Sequence, residues 1–192
     1  MSEKIRNRID LLIPLLKDPD PEVREAVARS IEQLEVSGDL NEILTRLKTG
    51  DTGTRVAAIH ALGTVGGKKV IAPLVYCANR PETDLRSAAI EVLGRLADLT
   101  TLPTLLELLN DQSSAVRVRT IIALGNFPAD PVIYDHLRPF LNAANGEFEG
   151  EAALALARLG DTASLDAIAA LLTSPHASTR RAAATALSLL PS

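Results

Sequence analysis

Apolar positions recur in this chain with two periods, and the shorter is that of an α-helix, about 3.6 residues. The segment AVARSIEQL follows Val23-Arg24, and its frame returns at Arg55, Arg86 and Arg117, each 31 residues further on. One residue is inserted before the fifth copy, where Glu149 takes the arginine's place, and the frame resumes at Arg180. Seven residues after each marker stand Ile31, Leu62, Leu93, Leu124, Leu156 and Leu187. Ten residues after it stand Leu34, Val65, Leu96, Phe127, Leu159 and Leu190. Positions three, seven and ten share one side of a helix, so each copy has a continuous apolar face. Small residues near that face (Ala28, Ala58, Ala89, Ala152, Ala183) allow close helix approach.

A second amphipathic segment precedes each of these helices, as in IRNRIDLLIPLL, LNEILTRLK, KVIAPLVYCA, LPTLLELL, IYDHLRPFL and SLDAIAALL. Turn formers separate the two, namely DPDP, TGDTG, RPET and NDQSS, and further links carry VSGD, VGGKK, NFPADP and LGDT. No alternating strand pattern is present. The pattern predicts an all-α chain of six helix–turn–helix copies, spanning approximately 3–35, 38–66, 68–97, 99–128, 130–160 and 162–191. A hairpin of this kind hides its apolar side only by stacking on its neighbours, so one array over 1–192 is expected.

Asp18-Pro19-Asp20-Pro21-Glu22-Val23-Arg24-Glu25-Ala26-Val27, with the pairs Leu62-Gly63, Leu93-Gly94 and Leu124-Gly125, resembles the HEAT-repeat family. The likeness is to its short repeats named after the phycobilisome lyases, and it covers the whole chain. It implies a right-handed α-solenoid of about six HEAT-like repeats, an armadillo-like superhelix. It also implies that Asp18, Arg24, Arg55, Arg86, Asp111, Arg117 and Arg180 tie consecutive copies together. Asp18 and Asp111 each lie six residues before an arginine, across the turn, within reach of a guanidinium. Arg119 and Glu151 replace the alanine found two places after the other markers, and an ion pair between them is expected across one seam.

The second helices of such an array line its concave wall. Reading outward-facing columns along the chain yields Arg29, His60, Glu91, Ile122 and Leu154, then Arg95, Asn126 and Arg158. These eight are the candidate partner-binding residues, with Ile122 and Leu154 as the apolar centre of the patch. Glu3, Lys4, Arg6, Arg8 and Asp10 make a polar cap at the start, whereas the last copy stays apolar nearly to its end. Self-association through that C-terminal end is therefore expected. Phe127, Tyr134, Phe140 and Phe148 cluster in copies four and five, as core fillers.

Composition narrows the chemistry. Of 192 residues 46% are hydrophobic but only 3% aromatic, and 20 basic against 24 acidic residues leave a net charge of −4. That balance lacks the basic footprint of a nucleic-acid binder. One cysteine, Cys77, leaves no disulfide framework, and its apolar context makes it a buried small hydrophobe. The three histidines stand apart and none is followed by glutamate, so no metal ligand set is expected. No phosphate loop or catalytic triad spacing is found, and Gly66-Gly67 is expected to be a helix C-cap. The first ten residues are too charged for a signal core, and apolar runs fall short of the roughly 18 residues that span a bilayer. The expectation is a cytoplasmic, cofactor-free scaffold or adaptor that binds another protein without catalysis. The resemblance supplies two alternatives, a bilin lyase-like chromophore-handling protein and, more remotely, a DNA-binding HEAT array.

Overall fold

The structure is a computed structural model that describes residues 3–191, and side chains at all of these except 32 and 35–37. Among the described residues every regular element is a helix, without strands. They cluster into two compact units, divided between Gly67 and Lys68.

In the first unit α1 (Glu3–Leu12) leads through a short 3-10 turn to α2 (Pro21–Thr49), followed by α3 (Thr52–Val65). Both later helices start on an aspartate whose carboxylate accepts a first-turn N–H, from Glu22 to Asp20 at 2.8 Å and from Thr54 to Asp51 at 2.8 Å. Such caps satisfy donors that a helix start leaves unpaired. Ile5, Ile9, Val27, Leu40, Ile43, Leu47, Ile59 and Leu62 are buried as the core of this unit.

One expected link is absent. The helix α2 runs through Val36-Ser37-Gly38-Asp39, where a turn between the first and second copies was anticipated. Without proline every residue there can remain helical, and a mid-helix glycine costs only about 1 kcal/mol. Breaking the helix would instead expose backbone groups at two new ends. Leu11 is 77% exposed, with Ile13, Leu15 and Leu16 also open. The charged residues of α1 do face solvent, but the apolar surface beside them is uncapped. Ala28 is exposed as well, unlike its buried counterparts Ala58, Ala89, Ala152 and Ala183.

The second unit comprises four hairpins. They are α4 (Lys68–Ala78) with α5 (Thr83–Leu96), α6 (Leu102–Leu108) with α7 (Ser114–Leu124), α8 (Pro131–Leu137) with α9 (Glu149–Arg158), and α10 (Leu165–Ala170) with α11 (Ala177–Leu189). Within each, the first helix packs on the second, and the second helices pack in chain order, α5 on α7, α7 on α9 and α9 on α11. Leu93, Leu124 and Leu156, one column of the sequence frame, are completely buried. The links turn sharply at Ala97 (φ 47°) and Gly160 (φ 78°).

The layer of second helices is close-packed. A Cβ on Gly94 would stand 2.5 Å from Ala123 Cβ, and one on Gly125 2.9 Å from Ala155 Cα. The two glycines share a column, so the same small-residue contact recurs at successive seams. Phe127 and Phe148 are buried, and Phe140 meets Phe148 edge-on at 5.6 Å. The extra aromatic volume of copies four and five thus goes into the core. Cys77 is buried too.

Candidate partner-binding site

The marker arginines sit in the first turn of each second helix, and four use one Nη1 in the same way. It donates to two successive carbonyls of the preceding turn: Asp18 and Pro19 for Arg24, Arg80 and Pro81 for Arg86, Asp111 and Gln112 for Arg117, Ser174 and Pro175 for Arg180. Arg55 donates from Nε to Leu47 O at 3.1 Å. The action these four share is therefore within a copy, clamping the turn. Arg86 also carries a salt bridge to the next copy, with Nη2 and Nε at 3.0 and 2.9 Å from the Asp111 carboxylate. Arg117 reaches the next copy differently, its guanidinium lying 5.0 Å from the centre of the Phe148 ring. Among the described residues Asp18 pairs with no arginine, and its carboxylate instead accepts from Asp20 N. A concavity of about 770 Å³ follows this turn edge, lined among others by Arg80, Arg86, Asn110 and Asp111. The Arg86–Asp111 latch forms part of its wall.

A second latch escaped the sequence reading. Arg138 donates through Nε and Nη2 to the two oxygens of Asp161, at 2.9 and 2.7 Å, and Ser164 Oγ donates to the same carboxylate. Asp161 is 3% exposed. Burial pushes its pKa up, but the Arg138 and Ser164 hydrogen bonds outweigh this and hold it below the usual carboxylate value. The signal available was Asp161 itself, which opens a link as Asp98 does two copies earlier.

Glu149 inverts the clamp. Where the arginines donate to carbonyls, its buried carboxylate accepts from the turn's amides: Asn145 N at 2.7 Å, Gly146 N at 3.1 Å and Phe148 N at 3.2 Å. The inserted residue lets the turn present N–H groups inward, with Gly146 at φ 73°. Burial raises the Glu149 pKa and the amide hydrogen bonds lower it further, so the net displacement is downward. A depressed folded pKa stabilises the fold above the unfolded value of about 4.3, and that contribution disappears as pH falls through the folded value. Glu149→Gln should therefore be less stable than the parent at pH 7, and thermal melts of the two should converge toward pH 3. A constant gap across that range would contradict the clamp.

The eight candidate binding residues divide between the units. Arg29, exposed and paired with Glu25 one turn away, and the half-buried His60 belong to the first. The other six belong to consecutive copies of the second unit, five on the second helices and Asn126 in the turn just after α7. Glu91, Arg95, Asn126 and Arg158 are exposed, while Ile122 and Leu154 are half-buried rather than open. The expected Arg119–Glu151 pair is replaced: Arg119 Nη1 lies 3.5 Å from Glu91 Oε2. Neighbouring helices are offset by nearly a turn, so column two of one copy meets column five of the copy before. Among the described residues no group of three His, Cys, Asp or Glu side chains could hold a metal ion, and no helix is long and apolar enough to cross a membrane.

Similar proteins share this architecture. An operon protein of Pseudanabaena tenuis (strain PCC 7409), "uncharacterized phycocyanin operon protein Z", is 24% identical over 95% of each chain. The complex of CpcE and CpcF of phycocyanin lyase from Nostoc sp. PCC7120 superposes with a TM-score of 0.69 at 20% identity. That match covers 79% of this chain and 64% of the other, so it spans just under two thirds of that longer chain. A designed armadillo repeat protein in complex with the peptide (KR)4 matches at TM-score 0.58 and 18% identity, over 99% and 100% of the chains. The fold is thus an all-α repeat solenoid of the HEAT and armadillo kind. The sequence profile of HEAT repeats matches residues 9–93, 71–147 and 134–192, and the chain belongs to the HEAT-repeat family.

Proposed function

We propose that this protein is a non-catalytic cytoplasmic scaffold or adaptor that binds a partner protein through its layer of second helices. The observation that carries this is the consecutive placement of Ile122 and Leu154, two half-buried apolar side chains on neighbouring helices, among the exposed Arg95, Asn126 and Arg158. Interfaces concentrate affinity in such an apolar centre with a polar rim. The similarity to a chain solved in a two-protein complex, CpcE with CpcF, supports a protein as the partner. Leu165, Leu172 and Leu189 are also exposed on the last copy, which supports docking or self-association at that end.

Affinity capture from the native host tests the wall. Leu154→Asp and, on the exposed rim, Arg158→Glu should each lose the partner while melting near the parent temperature. A partner retained by both variants would refute the wall as the site. Self-association has its own check: light scattering should show a mass that rises with concentration, and a constant monomer mass would contradict it.

A second reading, a bilin lyase-like chromophore-handling subunit, is favoured by the names of two similar proteins, the phycocyanin operon protein and the phycocyanin lyase complex. Co-expression with bilin separates it from the scaffold reading. Pigment absorbance co-purifying with this chain alone would favour the lyase-like role.

A further inference from the structure

We propose that the groove between α9 and α11 is a subsite for one lysine or arginine side chain of a partner protein, deepening the scaffold reading above by stating what part of the partner this wall recognises. The groove encloses about 240 Å³, below the roughly 300–1,000 Å³ of sites that take whole small molecules. Its walls include Glu147, Gly150, Glu151, Leu154, Thr179 and Arg181. Leu154 offers an apolar wall, and Gly150 adds no side chain. The close approach of the two helices, where a Cβ on Gly150 would stand 3.0 Å from Ala182 Cβ, keeps the groove narrow.

The polar groups of the groove are unmatched. Glu151 lacks the Arg119 partner expected of it, because that arginine pairs with Glu91. Glu147 and Glu151 make no ion pair among the described residues, and neither does Arg181. Thr179 supplies an independent sign: it is 1% exposed, and its hydroxyl oxygen has no hydrogen-bond partner. A buried hydroxyl without a partner costs about 1–3 kcal/mol, and a donor entering the groove would relieve it. Two carboxylates against one guanidinium select a cation. An ammonium brings three donors and a guanidinium five, enough for both carboxylates and the Thr179 oxygen. The alkyl stem of either side chain would lie along Leu154, as long basic side chains do on apolar surface.

The full chain, labelled with ¹⁵N, can be titrated with N-acetyl-lysine methylamide and with its uncharged counterpart N-acetyl-norleucine methylamide. The lysine probe should shift the amides of Gly146, Gly150 and Thr179 saturably, and the norleucine probe should not. A Glu147→Gln/Glu151→Gln variant should bind the lysine probe at least about tenfold more weakly, a loss of about 1.4 kcal/mol. It should keep its melting temperature, since unpaired surface carboxylates contribute little to the fold. Arg181→Ala, which removes the competing cation, should bind more tightly. Equal shifts with norleucine, unchanged affinity in the double variant, or weaker binding by Arg181→Ala would each overturn the subsite. The assay needs no partner, so its failure leaves the Leu154→Asp capture result standing, and failed capture leaves this one readable.

Discussion

Arg86→Ala lowers the melting temperature by about 6–12 °C, whereas Arg46→Ala leaves it within a degree or two. The difference lies in what each guanidinium does. Arg46 reaches Glu42 only at 4.0 Å, one helical turn away, with both side chains more than half exposed. Exposed pairs of this sort contribute about 0–1 kcal/mol. Arg86 and Asp111 are 13% and 9% exposed, and the arginine also holds the Arg80 and Pro81 carbonyls. Removing one member of a buried pair leaves the other charged and unpartnered, at a cost of roughly 3–5 kcal/mol. At the lower end, and with about 2–4 °C per kcal/mol for a chain of this size, the stated shift follows. Asp111→Ala should match Arg86→Ala, and the double variant should cost less than the two singles summed, because they share one interaction. Calorimetry of the four proteins decides it. Equal melting of the Arg46 and Arg86 variants would dismiss the latch.

Gly94→Ala destabilises the protein, whereas Gly53→Ala stabilises it. Both glycines lie inside helices, so intrinsic propensity alone predicts a gain of about 1 kcal/mol for each. Gly94, however, faces α7 at a seam where a new Cβ would stand 2.6 Å from Ala123 Cα. Backbone cannot yield there without parting the helices, and overpacking of this sort costs about 1–3 kcal/mol. At Gly53 nothing is nearer than 3.8 Å. Denaturant melts should therefore show opposite signs for one chemical change. Two stabilising substitutions would mean that the second helices pack less closely than described here.

The fold was readable because a stacked repeat writes one set of requirements several times. The glycine column after the marker leucines could be seen before its cause, and the contacts of Gly94 and Gly125 supply that cause. The marker arginines were legible as structural, but the action four of them share, clamping the turn carbonyls before them, was not. Backbone carbonyls carry no letter in a sequence, and only the Asp111 carboxylate does. For the same reason the Glu149 clamp read as a lost arginine rather than as a reversed polarity. The Arg138–Asp161 latch occurs once, so no periodic pattern marked it. The course of α2 through Gly38 depends on the balance between one weak helix former and two new helix ends, which composition does not resolve. The candidate wall was legible as a set of columns, yet the offset of nearly a turn that pairs Arg119 with Glu91 emerged only from helix packing.

The claim that the layer of second helices receives the partner is tested most directly by site-specific photo-crosslinking in the native host. A benzophenone side chain replaces Asn126, exposed just past the end of α7 beside that layer, or Leu99, exposed in the turn just before α6. The account predicts a crosslinked protein partner from position 126 and none from position 99. Crosslinking from position 99 with nothing from position 126 would contradict it.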